Sequence, residues 1–495
     1  MSAPELGQSG AGSGEVEGLT FDGHRLIGPA RVRFRAGVIT SVEALPLGPQ
    51  PRTILPGLID GHLHLTSYAE SLISLDLSGL APSAIVSKLA DADHRTAPGR
   101  WIRAHGVLAA SWPEVADRAV LDRVTGQPCV LWATDLHRLV LNSLAIAHLG
   151  VETSASPDGG RIVRDQNGAA TGVLEEKAAQ EFSRRIPPLS SEEMRQAIGT
   201  AIQRCQAAGL VGAASYETAA ALQELAAMGA NPSFALRLFQ YSEEVSLTDR
   251  PGSLAAELPI IGAKVFLDGT LGSRTAWMKE PFSDFGGHGI RRMPEDAPSL
   301  VSSLRQRGYT VSLHAIGDAA FSAALDLLAG EMGRIEHIQL VDPADLDRIT
   351  PQLIASVQPA HLVDDRDVAE AAWGVRIRYA YPYRSLWQHG ATLVFGSDAP
   401  VVPPDPLVGL KMAVDRRLGD EALFGPDQAL PLEVALAAYT SGPARTLGIG
   451  SGAIAPGLPA TLTVVEGDLS HEAGRRAATI GATVVAGEAV YGRLP

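Results

Sequence analysis

His62 and His64 end the run Thr53-Ile54-Leu55-Pro56-Gly57-Leu58-Ile59-Asp60-Gly61-His62-Leu63-His64, and residues two apart in a strand share a face. Such a pair can grip one ion, or can be two ordinary polar residues at a strand end. Four more residues of ligand type, Lys264, His314, His337 and Asp398, fall at or just past the C-terminal ends of other apolar, strand-like runs. Each has a plain use alone: Lys264 as a neutralised core cation, His314 and His337 as hydrogen-bonded core imidazoles, Asp398 as a helix N-cap. Their coincidence at matching ends of separate strands favours a shared site. Four neutral imidazoles and a carboxylate suit one or two divalent ions, zinc first, and water between such ions is acid enough to attack an acyl carbon near neutral pH. An ammonium would repel the ions, so Lys264 fits as a carbamate formed with carbon dioxide, bridging two metals. Asp398 is the candidate catalytic proton shuttle.

The elements that position these groups follow from the apolar pattern. Short strands at 18–21, 30–34 and 37–42, and again at 460–465 and 482–487, lie at the two ends of the chain. Each end is too small to bury a core, so 19–55 and 447–495 are expected to pair into one small β-sandwich. Between them, helical patterns such as 192–208 and 219–228 separate strands at 209–215, 234–239, 262–267, 309–314, 334–338, 353–357 and 391–395. With the His62 strand the count is eight, which specifies a parallel (β/α)8 TIM barrel over 56–446. The irregular segment of about 68–188 reads as an insertion after the first strand, covering the barrel mouth. No G-x-G-x-x-G follows the first strand, which disfavours an open doubly wound sheet.

Composition sets the outer bounds. With 41 Lys plus Arg against 55 Asp plus Glu, a net charge of −14 argues against a nucleic-acid or anionic-membrane partner. Cys129 and Cys205 have no metal-type spacing and read as buried free thiols. Residues 1–18 are Gly-, Ser- and Glu-rich and are expected to be disordered, with no signal peptide. Cytoplasmic residence follows by default, and a homodimer by base rate.

The motifs Pro56-Gly57-Leu58-Ile59-Asp60-Gly61-His62-Leu63-His64, Lys264-Val265-Phe266-Leu267-Asp268-Gly269-Thr270-Leu271-Gly272-Ser273-Arg274, His314-Ala315-Ile316-Gly317-Asp318, Arg334-Ile335-Glu336-His337 and Gly396-Ser397-Asp398-Ala399-Pro400 follow one another across nearly the whole chain. In this the sequence resembles the amidohydrolase superfamily, within it the amidohydrolase family 3 branch that contains N-substituted formamide deformylases. The resemblance implies a barrel with a β-sandwich built from both termini, and metal-dependent hydrolysis of amide-like C–N bonds of a small molecule. It also implies His62, His64, Lys264, His314, His337 and Asp398 as the metal set. Asp135-Leu136-His137-Arg138-Leu139-Val140-Leu141-Asn142-Ser143 resembles the family's insert motif, making His137 a candidate substrate contact. Two departures stand out: Ala319 where a basic residue is usual, and Thr461 where the closing strand usually has Asp.

Further candidates are weaker. Arg274 could anchor a substrate carboxylate or pair with an acid, and Asp268 sits in the same Gly-rich loop. His361 could orient a leaving group or water, or serve structure. Tyr216, Glu217, Trp112 and Trp277 could wall the pocket. The rival readings are a one-metal deaminase, lactonase or cyclic-imide hydrolase with unmodified Lys264, and a metal-free binding scaffold.

Overall fold

Strands buried on both faces are written as near-continuous apolar runs, and here eight of them pair in parallel. In the computed structural model, which describes residues 12–48, 51–107, 118–133, 137–246, 248–253, 258–419 and 421–494, they are Leu58–Leu63, Leu210–Glu217, Ala235–Tyr241, Pro259–Phe266, Thr310–Ala315, Gly333–His337, Leu353–Val357 and Thr392–Phe395. From the fourth strand to the eighth the register runs without a shift, with Phe266 opposite His314 and Ala315 opposite His337, while irregularities interrupt the second strand's pairing with the first and the third strand's with the fourth. The eighth strand returns to the first, where Asp398 N donates to His62 O at 2.7 Å. Glycine makes this closure fit. A Cβ on Gly61 would lie 2.2 Å from Val394 Cγ1, and one on Gly396 would lie 2.5 Å from His62 N. The result is a nearly closed parallel TIM barrel.

Helices cover the outside of the barrel. Ser191–Ala207 starts at a capping box, in which Ser190 Oγ accepts from Glu193 N at 3.3 Å while the Glu193 carboxylate accepts from Ser190 N at 2.9 Å. Its inward stripe, Met194, Ile198, Ile202 and Cys205, is buried, and each large aliphatic side chain removed from water contributes about 1.5–3 kcal/mol. Cys129 and Cys205 are both free and buried, as the sequence reading expects. No helix among the described residues is long and apolar enough to cross a membrane.

Strands from both ends of the chain form a seven-stranded sheet, antiparallel except where Gly14–Phe21 runs parallel to Arg52–Pro56. Arg52–Pro56 pairs with Leu462–Glu466 and passes through Gly57 into the first barrel strand, so the sheet is tied to the strand that bears His62. One expectation is corrected here. Of the segment 1–18, residues 1–11 lie outside the described residues, but Gly14–Gly18 are ordered in a strand, Gly14 facing Phe34. Val16, 2% exposed, packs with Val32 and Phe34, and that burial offsets the polar, Gly-rich composition.

The insertion has its own six-stranded sheet, in the order Gly160–Arg164, Ala170–Glu176, Arg138–Leu141, Cys129–Ala133, Ile102–Val107 and Leu75–Asp76. Two apolar clusters pack on it, one around Leu139, Leu174 and Phe182, the other around Ile85, Leu121 and Leu131.

Candidate metal centre

The six sequence-predicted residues meet at the C-terminal mouth of the barrel, all buried. His62 Nε2 is 3.4 Å and His64 Nε2 3.2 Å from Asp398 Oδ1. The ligand atoms of these three residues lie within 4.8 Å of one another. Lys264 Nζ is 3.3 Å from His62 Nε2. The rings of His314 and His337 are 4.5 Å apart, and the His337 ring is 5.1 Å from that of His62.

Local backbone explains two of these placements. Alternation along Gly333–His337 would put His337 on the face opposite Glu336, yet His337 departs from the strand at φ 76. Asp398 likewise sits at φ 60. Each such conformation costs on the order of 1–3 kcal/mol and concentrates where function demands it.

Hydrogen bonds fix which nitrogen of each imidazole can ligate. His62 Nδ1 meets the Glu336 carboxylate at 2.7 Å, His64 Nδ1 the Tyr216 carbonyl at 2.8 Å and His337 Nδ1 the Gln358 amide oxygen at 2.9 Å. These partners accept, so each Nδ1 carries the proton and each Nε2 keeps a lone pair. His314 is reversed: its Nε2 donates to Gly269 O at 3.0 Å, leaving the lone pair on Nδ1. His314 Nδ1 and His337 Nε2 are buried and make no hydrogen bond. Unpartnered buried lone pairs on His314 and His337, beside the His62 and His64 Nε2 atoms that face the Asp398 carboxylate, are the donor set a divalent cation requires, and the residues therefore fit one.

Charge states agree. Burial, with the Lys264 charge behind it, pulls His62 down to about 4, and burial holds His314 and His337 well below the ordinary histidine value. Burial alone would raise Asp398, but His62, His64 and His337 outweigh it and keep the carboxyl ionised. Lys264 is lowered to about 8 by burial, against the opposing pull of Asp398 and Glu336. A group titrating there is about one-tenth neutral amine, the form that reacts with carbon dioxide, at pH 7.

The weaker candidates divide. The insertion brings His137 to the centre, its ring 5.7 Å from that of His314 and its Nδ1 2.7 Å from Glu176. Arg274 is engaged by Asp284, Nη2 to Oδ2 at 2.5 Å, and by the Leu271 carbonyl at 2.9 Å, so pairing with an acid replaces the substrate-anchor reading. Asp268 is fully buried and accepts from the backbone N–H groups of Trp277, Ile316 and Gly317, which ties the fourth-strand loop to the turn after His314 rather than facing substrate. His361 Nε2 bonds the Ser397 carbonyl at 3.1 Å, supporting the residue beside Asp398. Tyr216 packs under the ring of His62 at 4.0 Å, and Trp112 lies outside the described residues.

Sequence reasoning passed over Glu336, Arg334, Glu176 and Arg292. Arg334 and Glu336 were readable as two charges in a strand otherwise written for complete burial. Glu176 and Arg292 gave no local signal: Arg292 Nη1 is 3.2 Å from Glu176, and its guanidinium lies 4.5 Å over Phe266.

Residues 51–491 match the model of the Amidohydrolase family. A putative amidohydrolase, YtcJ of Bacillus subtilis (strain 168), is 31% identical over 469 residues, covering 88% of this chain and 89% of its own. The N-substituted formamide deformylase of Arthrobacter pascens is 25% identical over 466 residues, 84% of each chain. Among solved structures, an uncharacterized metal-dependent hydrolase from Pyrococcus horikoshii OT3 superposes with a TM-score of 0.72 at 26% identity, over 90% of this chain and 94% of that one.

Proposed function

The chain belongs to the amidohydrolase family, a metal-dependent hydrolase acting on C–N bonds, and from that premise we propose that it cleaves N-acyl or N-formyl amines at a centre holding two zinc ions. The observation that carries this reading is that His62 and His64 turn their Nε2 lone pairs to the Asp398 carboxylate, with the His337 and His314 rings, each fixed by a partner, packed beside them. His62, His64 and Asp398 would hold one ion, His314 and His337 the other, with Lys264 as its carbamate between them. Divalent ions bound there polarise a carbonyl and acidify water.

The chain's own residues do the rest. Asp398, ionised at the rim, takes the proton of the attacking water on a carboxylate oxygen and passes it to the leaving nitrogen. Phe266 and Tyr241, whose rings lie 5.6 Å apart, help keep the mouth apolar. His137, held by Glu176, faces the substrate from the insertion. The likeness to an N-substituted formamide deformylase supports the acyl class. A one-metal reading draws on a different observation, that His62, His64 and Asp398 already form a compact three-ligand set.

Metal analysis of the purified protein, followed by a screen of N-formyl and N-acyl amines against lactones and aminopurines, tests the proposal. Two ions per chain with amine release supports it. Activity confined to lactones or to deamination would overturn it.

A further inference from the structure

We propose that the two halves of the centre bind metal with unequal affinity, and that Glu336 is the positioning residue that makes the His62–His64–Asp398 half the tighter one. This rests on the reading of the centre as a two-ion site.

Each of the four imidazoles has one ring nitrogen fixed by a partner, and the partners are not alike. His64 and His314 use backbone carbonyls, of Tyr216 and Gly269, and His337 uses the neutral amide oxygen of Gln358. Only His62 is hydrogen-bonded through that nitrogen to a carboxylate, Glu336 Oε2 at 2.7 Å; His314 Nε2 gives its hydrogen bond to Gly269 O, with Asp268 Oδ1 farther off at 3.5 Å. A carboxylate on Nδ1–H draws the proton toward itself and enriches the lone pair on Nε2, making His62 the strongest imidazole donor of the four.

Glu336 is built to hold that position. It is fully buried, and it accepts from Ser312 Oγ at 2.7 Å, from Tyr216 OH at 2.8 Å and from Arg334 Nε at 2.9 Å. Arg334, also fully buried, donates through Nη2 to the carbonyl of Gly61 at 2.8 Å, the residue before His62. One ion pair therefore locks both the ring of His62 and the backbone leading to it. Water cannot screen the carboxylate, and no rotation releases it without leaving Arg334 unpaired.

The other half has no such support. His314 and His337 hydrogen-bond to neutral acceptors, while Lys264, whose Nζ lies 3.3 Å from His62 Nε2, opposes a cation in either half as long as it remains an ammonium. The first ion should enter the His62 half, and the second should follow more weakly.

The test is a titration of the metal-stripped full-length chain in carbon dioxide-equilibrated buffer. Zinc is added in competition with a chromophoric chelator, and cobalt binding is read from visible absorption. The native chain should take up two ions in separate steps, the first at least about tenfold tighter. Glu336→Gln should weaken the first step about 10–100-fold, the usual loss when such a partner is removed, and leave the second within threefold. Glu336→Asp keeps the charge beside Arg334 but draws it back from His62, so it should also weaken the first step where the Gln variant fails to fold. His314→Asn/His337→Asn should abolish only the second step. Equal affinities in the native chain, or an unchanged first step in a folded Glu336 variant, would overturn the inference while sparing the two-ion reading. Failure of the native chain to bind either metal would overturn both.

Discussion

Glu176 Oε2 lies 2.7 Å from His137 Nδ1, and this contact carries the insertion into the barrel mouth. Glu176, fully buried and at φ 53, also accepts from Thr275 Oγ1 and from Arg292, so one insertion carboxylate ties together three residues around the centre.

Replacing His137 by Gln should lower kcat/KM on an N-formyl amine at least about tenfold, a loss of ~1.4 kcal/mol of transition-state stabilisation, with metal content unchanged. Steady-state kinetics beside metal analysis checks this. Retained activity would remove His137 from the site.

Glu176→Ala leaves Arg292 as a buried charge without its acid, since the side chains are 0% and 3% exposed. The expected cost is about 3–5 kcal/mol. Urea unfolding measures it, and a loss under about 1 kcal/mol would mean that water or Gln180 compensates the guanidinium.

Gly61→Ala puts a methyl 2.2 Å from Val394 Cγ1 and 2.9 Å from the Phe395 carbonyl. Overpacking of this kind costs about 1–3 kcal/mol. Val394→Ala should restore only part of the melting temperature, because the clash with backbone remains. Full restoration would show that the strand is free to shift.

Ser190→Ala removes the N-cap of Ser191–Ala207 and should cost about 0.5–2 kcal/mol. The Ser190 hydrogen bonds, aided by Arg100, push Glu193 down to about 2 from an ordinary 4.5. A lowered folded-state value means that this contribution is complete above 4.5 and fades as pH falls toward 2. The stability gap between native and variant chains should narrow over that window without closing, because Ser190 Oγ still accepts from Glu193 N–H, and a gap independent of pH would exclude the Glu193 carboxylate as a contributor.

Much of the site was legible in sequence because barrel geometry turns spacing into position. Once eight apolar runs are in order, the residue at the end of each is at the mouth, which is how Lys264 and His314 could be placed from pattern alone. The insertion resisted the same reasoning. Its strands pair across long gaps, Arg138–Leu141 with Ala170–Glu176, and its alternation is too weak to set an order. Arg274 was ambiguous for a related reason: its partner Asp284 sits in a loop whose path no periodicity predicts. Glu336 was overlooked beside His337, because only the folded barrel shows that its carboxylate meets a ring 274 residues away.

An anomalous-difference map at the zinc edge, from crystals of the zinc-loaded protein, bears most directly on the central claim. A peak is expected at about 2.0–2.2 Å from His62 Nε2, His64 Nε2 and the Asp398 carboxylate, with a second beside His314 Nδ1 and His337 Nε2. A barrel mouth without a peak, in crystals that hold zinc elsewhere, would contradict it.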